Sequence, residues 1–136
     1  MCIRDRIYVN QIGANDNLIF DGNSFILDKN GSKIKQLKSF SEDLYSWDIE
    51  QTKPKKNKFK NSEMSSIFDA LVLGVRDYAQ KCGFKTALIG LSGGIDSALV
   101  SAIATAALGS NNIYCVSMPS KSVSYTHLTL PTTSPV

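Results

Sequence analysis

Ser92, Gly93, Gly94, Asp96 and Ser97 crowd into one short part of the stretch IGLSGGIDSALVSA, Ile89 to Ala102. Two hydroxyls, a carboxylate and a glycine pair can do three things at such spacing. They can cradle a phosphate, present a serine nucleophile, or simply turn a corner between a strand and a helix. The cradle has the fullest physical account. The first turn of a helix leaves backbone N–H groups unpaired, and the helix dipole adds roughly half a positive charge there. Gly93 and Gly94 let the backbone approach a ligand with no Cβ in the way. Ser92 and Ser97 supply hydroxyl donors. Asp96 is misplaced beside a polyanion unless a cation lies between them, and Mg2+ bridging carboxylate and phosphate removes that conflict.

The common phosphate motifs do not fit. A Walker loop needs a lysine before its Ser/Thr, but Asp96 precedes Ser97, and the dinucleotide glycine pattern does not register. The hydrolase pattern G-x-S-x-G does fit GLSGG, Gly90 to Gly94, and would make Ser92 a nucleophile. A triad also needs an acid and a histidine downstream. The chain has one histidine, His127, and no HGGG-type oxyanion segment. A plain glycine corner would not need so much polar equipment.

The flanking residues must position this loop. TALIGL, Thr86 to Leu91, predicts a strand that is apolar on both faces, as in a parallel sheet covered on two sides. DSALVSAIATAALG, Asp96 to Gly109, predicts a helix with a Leu-Val-Ile stripe and a glycine past its end. NIYCVSMP, Asn112 to Pro119, predicts a second buried strand. Strand, helix and strand form a βαβ unit with a right-handed crossover. Its ligands belong at the carboxyl edge of the strands, where the loop lies. Upstream, Met64, Ile67, Phe68, Leu71, Val72, Val75, Tyr78 and Ala79 recur at helical spacing. Asn61 or Ser62 is the expected N-cap and Gly83 the stop.

The first forty residues have a different texture. RIYVNQIG (Arg6 to Gly13), LIFDGNSFILD (Leu18 to Asp28) and SKIKQLKSF (Ser32 to Phe40) predict short strands. DGN and DKNG are turn chemistry, and DKNG predicts a hairpin of Phe25–Leu27 with Ile34–Leu37. KPKKNKFK, Lys53 to Lys60, holds five lysines and no acid. It reads as a solvated linker, with a phosphate or RNA grip as the alternative.

The composition of the 136 residues, 43% hydrophobic and 20% charged with a net charge of +3, is that of a folded domain rather than a disordered chain. Three cysteines, Cys2, Cys82 and Cys115, are an odd number without metal-ligand spacing, so reduced thiols that are buried or idle are expected. No apolar run is long enough for a membrane span or a signal peptide, which makes cytoplasm the default.

SGGIDSA, Ser92 to Ala98, resembles the pyrophosphate loop of the ATP-pyrophosphatase superfamily, which includes GMP synthetase, asparagine synthetase and tRNA-thiolating enzymes. The longer run from LVLGVRDYAQKCGFK through IYCVSMPS resembles the start of the synthetase domain of glutamine-dependent NAD+ synthetases. YVNQIGANDNLIFDGNSFILDKNG resembles the end of their nitrilase-like glutaminase domain. The resemblance covers about Arg6 to Lys121. It implies an α/β chain: the β-rich tail of a nitrilase-like domain, then the first βαβ unit of an adenine-nucleotide alpha hydrolase-like parallel-sheet domain. The expected organisation is a leader (1–6), a glutaminase part (7–47), a basic linker (48–62), a synthetase part (63–121) and a tail (122–136).

The implied reaction amidates deamido-NAD+ with ATP and glutamine-derived ammonia. By the same resemblance Ser92, Gly93, Gly94, Ile95 and Ser97 hold pyrophosphate, Asp96 binds Mg2+, and Ser117, Met118 and Pro119 lie near the adenosine. The implied partners are small molecules (deamido-NAD+, ATP and glutamine) in a homo-oligomer, with neither membrane nor nucleic acid. The alternatives are another enzyme with this loop, such as a tRNA-modifying or GMP synthetase-like protein, or a nucleotide-binding remnant. The family's Glu-Lys-Cys glutaminase triad is expected upstream of Val9 and is absent from the chain. Cys2 lies in the leader MCIRDR, which departs from the family, as does SVSYTHLTLPTTSPV from Ser122. Both ends resemble translated adapter sequence. The expectation is an inactive fragment with a detached hairpin region.

Overall fold

The structure is a computed structural model that describes residues 4–48 and 62–117. Five short strands occupy its first half: β1 (Arg6–Tyr8), β2 (Ile12–Asn15), β3 (Leu18–Asp21), β4 (Phe25–Leu27) and β5 (Lys33–Gln36). The hairpin expected around DKNG is present, with Phe25 opposite Gln36 in antiparallel β4–β5. Asp28 builds the turn. Its carboxylate accepts from the Asn30 and Ser32 amides, both at 2.8 Å, and Gly31 takes the left-handed φ of 84°. β1 adds to the other side of β4 and stacks Tyr8 on Phe25 with ring centroids 4.9 Å apart.

RIYVNQIG does not run as one strand. It breaks between Tyr8 and Ile12, and its two ends enter different sheets. The break is where side chains compete for the backbone. The Asn10 amide donates to the Ser24 hydroxyl at 3.0 Å, and the Asn10 side chain donates to Asp21 at 3.2 Å. LIFDGNSFILD divides at the expected DGN turn, where Gly22 and Asn23 have φ of 74° and 51°. The sequence reading named no hairpin at Asp16–Asn17, yet β2 and β3 pair through that two-residue turn, with Ala14 opposite Ile19. The Asn-Asp-Asn run is its signal, since these residues tolerate the φ of 50° that Asp16 adopts.

The second half follows expectation closely. Helix α1 spans Glu63–Lys81, and Ser62 caps it by accepting from the Ser65 amide at 3.2 Å. Gly83, at φ 74°, turns the chain away after it. Strand β6 (Ala87–Leu91), helix α2 (Ile95–Leu108), a 3-10 turn (Ser110–Asn112) and strand β7 (Ile113–Ser117) complete the unit. β6 and β7 pair in parallel, and α2 packs against both strands and against α1. The core lies between the helices, where Val72 meets Ile103 and Ala107, with Leu108 against them.

Burial corrects the sequence reading in two places. The strands were expected to be covered on both faces, but Leu88 is 73% exposed and four of the five β7 residues are exposed. Among the described residues, α2 is the helix that packs on them. The α1 stripe is also wider than what covers it. Val72, Ala79 and the unanticipated Leu73 are buried, while Met64 and Tyr78 stay largely exposed. No helix among the described residues is long and apolar enough to cross a membrane. The basic run Lys53–Lys60, the leader up to Ile3 and everything after Ser117 lie outside the described residues.

Candidate functional site

The loop between β6 and α2 is built by glycine. Gly93 has φ 83°, a backbone conformation that an L side chain adopts only with strain. Gly94 follows in an extended conformation as the N-cap of α2, with no side chain capping the helix. The N–H groups of Ile95, Asp96 and Ser97 therefore start the helix without an intrahelical acceptor. A Cβ on Gly94 would lie 3.5 Å from the Ser92 hydroxyl, an ordinary contact. The loop itself thus leaves room for a side chain there, and without one the helix end stays open to a ligand.

The two serines meet over this helix end. Ser92 Oγ donates to Ser97 Oγ at 3.3 Å and accepts from the Gly94 amide at 3.3 Å. Ser97 Oγ donates to the Gly94 carbonyl at 2.9 Å. Both hydroxyls can rotate, so both can redirect a donor to an incoming anion. Ser92 and Asp96 are exposed and Ser97 is half-buried. The register pairs Leu91 with Ser117. Ser117 therefore ends β7 beside the residue that precedes Ser92, at the carboxyl edge of the parallel pair. Met118 and Pro119 lie outside the described residues, as does His127. The fold thus brings together Ser92, Gly93, Gly94, Ile95, Asp96, Ser97 and Ser117.

This donor set fits a hard divalent cation together with a polyphosphate. Asp96 offers a carboxylate in the first turn of α2. No group of three His, Cys, Asp or Glu side chains gathers among the described residues. A cation at Asp96 would accordingly complete its shell with phosphate oxygens and water, as Mg2+ does in nucleotide sites. Cys82 and Cys115 are free and exposed rather than buried.

Residues 67–132 match the NAD synthase family model. The glutamine-dependent NAD(+) synthetase of Synechocystis sp. is 50% identical over 119 residues, which cover 84% of this chain and 21% of that protein. The chain is a relative of the glutamine-dependent NAD+ synthetases. The synthetase of Acinetobacter baylyi is 45% identical over 117 residues, covering 83% of this chain and 22% of the relative. A structure of the Acinetobacter baumannii glutamine-dependent NAD+ synthetase in complex with ADP superposes with a TM-score of 0.78 at 42% identity. It covers 85% of this chain and 23% of that one. The chain spans about a fifth of the length of these synthetases.

Away from the loop, sequence reasoning missed four residues that join the halves: Gly13, Gly74, Asp77 and Lys81. Asp77 and Lys81 sit at i, i+4 on α1, and both bond to the backbone of Ala14 in β2. The β-rich half is therefore not detached, and it docks on α1 through β2 and β3 rather than through the DKNG hairpin. The one signal in the sequence is Gly74, a helix-interior glycine, which costs about 1 kcal/mol against alanine unless something packs close to it.

Proposed function

We propose that the chain is the junction of a glutamine-dependent NAD+ synthetase, where the end of a nitrilase-like glutaminase domain meets the start of an ATP-pyrophosphatase domain. On this reading Ser92–Ser97 forms the pyrophosphate site. The observation that carries the proposal is the pairing of Leu91 with Ser117, which sets the uncapped start of α2 beside the end of β7 at one sheet edge. The ADP-bound relative of the same fold supports an adenine nucleotide as a ligand.

In the proposed reaction, the nicotinate carboxylate of deamido-NAD+ attacks the α-phosphorus of ATP. The bond to the β-phosphate oxygen breaks, pyrophosphate leaves, and an acyl adenylate forms. Ammonia from glutamine then attacks the acyl carbon, AMP departs, and the nitrogen loses a proton to give the amide of NAD+. The chain's residues act on the first step. The N–H groups of Ile95, Asp96 and Ser97 and the hydroxyls of Ser92 and Ser97 bind the β- and γ-phosphate oxygens, holding the leaving group in line. Their donors and the helix dipole stabilise the charge that grows on the pyrophosphate. Asp96 would hold Mg2+, which supplies further neutralisation of phosphate charge when bound. Ser117, with Met118 and Pro119 after it, would border the adenosine. Homo-oligomeric assembly and a cytoplasmic location also belong to this reading.

The test supplies deamido-NAD+, ATP and glutamine to the full-length enzyme that carries this sequence. Equimolar AMP and NAD+ are expected, and the 136-residue polypeptide alone should form neither. AMP release that depends on tRNA or xanthosine monophosphate instead of deamido-NAD+ would replace this reading with another enzyme of the same loop class.

A further inference from the structure

Ala14 lies on β2 of a two-stranded hairpin, so part of its backbone faces outward as a sheet edge. That edge is completed by two side chains of α1. Asp77 Oδ2 accepts from the Ala14 amide at 2.7 Å, and Lys81 Nζ donates to the Ala14 carbonyl. One turn of helix thus supplies both the acceptor and the donor of a missing neighbouring strand. The two side chains also pair with each other at 4.0 Å, with Asp77 only 20% exposed.

Two glycines permit the approach. A Cβ on Gly13 would lie 3.0 Å from Asp77 Oδ2, and one on Gly74 would lie 3.2 Å from Ile19 Cδ1. An open groove of about 700 Å³ runs beside this contact, lined in part by Asp16, Val75 and Tyr78, so the packing covers only part of the joint. The polar clamp supplies the direction that loose packing lacks. It spans 63 and 67 positions of sequence. It therefore bridges the two sides of the basic linker.

We infer that Asp77 and Lys81 are positioning residues that lock the β-rich half onto the first helix of the synthetase half, so that ammonia released on one side is used on the other. The inference rests on the proposed synthetase reading. Neither side chain needs to touch substrate. Their effect is on the relative placement of the two halves, and hence on the nitrogen source that depends on that placement.

The experiment measures NAD+ formation by the full-length enzyme with glutamine and, separately, with ammonium chloride. The unsubstituted enzyme is assayed first, and no NAD+ from either source there would end the synthetase reading before any variant is made. Asp77→Ala with Lys81→Ala should lower the glutamine-to-ammonia rate ratio about tenfold, the order expected for losing charge-assisted hydrogen bonds at one joint. Glutamine hydrolysed per NAD+ formed should rise in step. Asp77→Asn keeps an acceptor for the Ala14 amide and should hold the ratio within about threefold of the unsubstituted value. Lys81→Met, at a site 56% exposed, removes one bond where substitution is tolerated and must lower the ratio even if the double variant does not fold. An unchanged ratio in Lys81→Met, whether or not the double variant folds, overturns the inference. So does an equal fall with both nitrogen sources, which is what a purely structural role would give.

Discussion

The loop between β6 and α2 is assembled from near neighbours: Ser92 and Ser97, five positions apart, meet at 3.3 Å over their own helix end. The joint between the halves is assembled from strangers, with Ala14 held by a helix that begins after the linker. The loop geometry follows from turn chemistry and helix initiation, which any chain with these residues in this order would satisfy. The joint exists only once the hairpin has docked, and its polar contacts replace strand pairing that neither element could form alone. If the proposed roles hold, chemistry and coupling sit in different parts of the molecule and should fail separately when substituted.

The sharpest break of this pair is at Asp96. In the full-length enzyme, Asp96→Ala should lower AMP release and NAD+ formation by about a hundredfold or more, the scale of losing the cation that would neutralise charge on the leaving pyrophosphate. Glutamine hydrolysis should persist in part. Equal loss of both activities in a folded protein would refute the separation. Gly93→Ala comes next. At φ 83° an alanine costs about 1–2 kcal/mol. ATP binding should therefore weaken about tenfold or more if the loop is to keep its shape, while the glutamine-to-ammonia ratio stays the same. Equilibrium nucleotide binding and the two-source assay together check this.

What the sequence revealed follows the same division. The parallel strands, α2, the Ser62 cap, the Gly83 stop and the DKNG hairpin were legible because each is written in residues within a few positions of one another. The loop was legible for the same reason. The break after Tyr8 was hidden because it depends on Ser24 and Asp21 reaching Asn10. The Asp16–Asn17 turn carries a turn signal in its own residues, but the pairing of β2 with β3 that makes it a hairpin is not written there. Asp77 and Lys81 have only the spacing of an i, i+4 pair on a helix, and nothing local says that Ala14 lies against them. The strand burial failed for another physical reason. Apolar content on both faces of β6 tells what the sequence can bury, and the described residues cover one face.

A smaller effect is expected where α2 ends. Its last turn has no basic residue of its own. Arg76 of α1 supplies the charge instead, donating from Nε to the Ala107 carbonyl and from Nη2 to the Ala106 carbonyl, both at 3.2 Å. Arg76→Met keeps the packing stem and removes these bonds, so it should destabilise the helix pair by about 1 kcal/mol. Urea unfolding followed at this half of the molecule measures the loss. Nucleotide affinity should change little, because the opposite end of α2 forms the loop. A matched fall in affinity would mean that the loop is not locally determined.

Ser62→Ala should have the smallest effect, about 0.5 kcal/mol at an exposed helix start. Its hydroxyl accepts from the Ser65 amide, so that amide should exchange with solvent about twofold faster. Fraying falls off within the first turn, and Asp77 lies roughly four turns further along α1. The joint should not notice, and the glutamine-to-ammonia ratio should equal that of the unsubstituted enzyme. Ser62→Asp, which restores an acceptor and places a negative charge at the positive end of the helix, should return the slower exchange. If the ratio instead falls with Ser62→Ala and recovers with Ser62→Asp, the coupling tracks the stability of the whole helix. The clamp at Ala14 would then be one reporter of that stability rather than the separable lock described above.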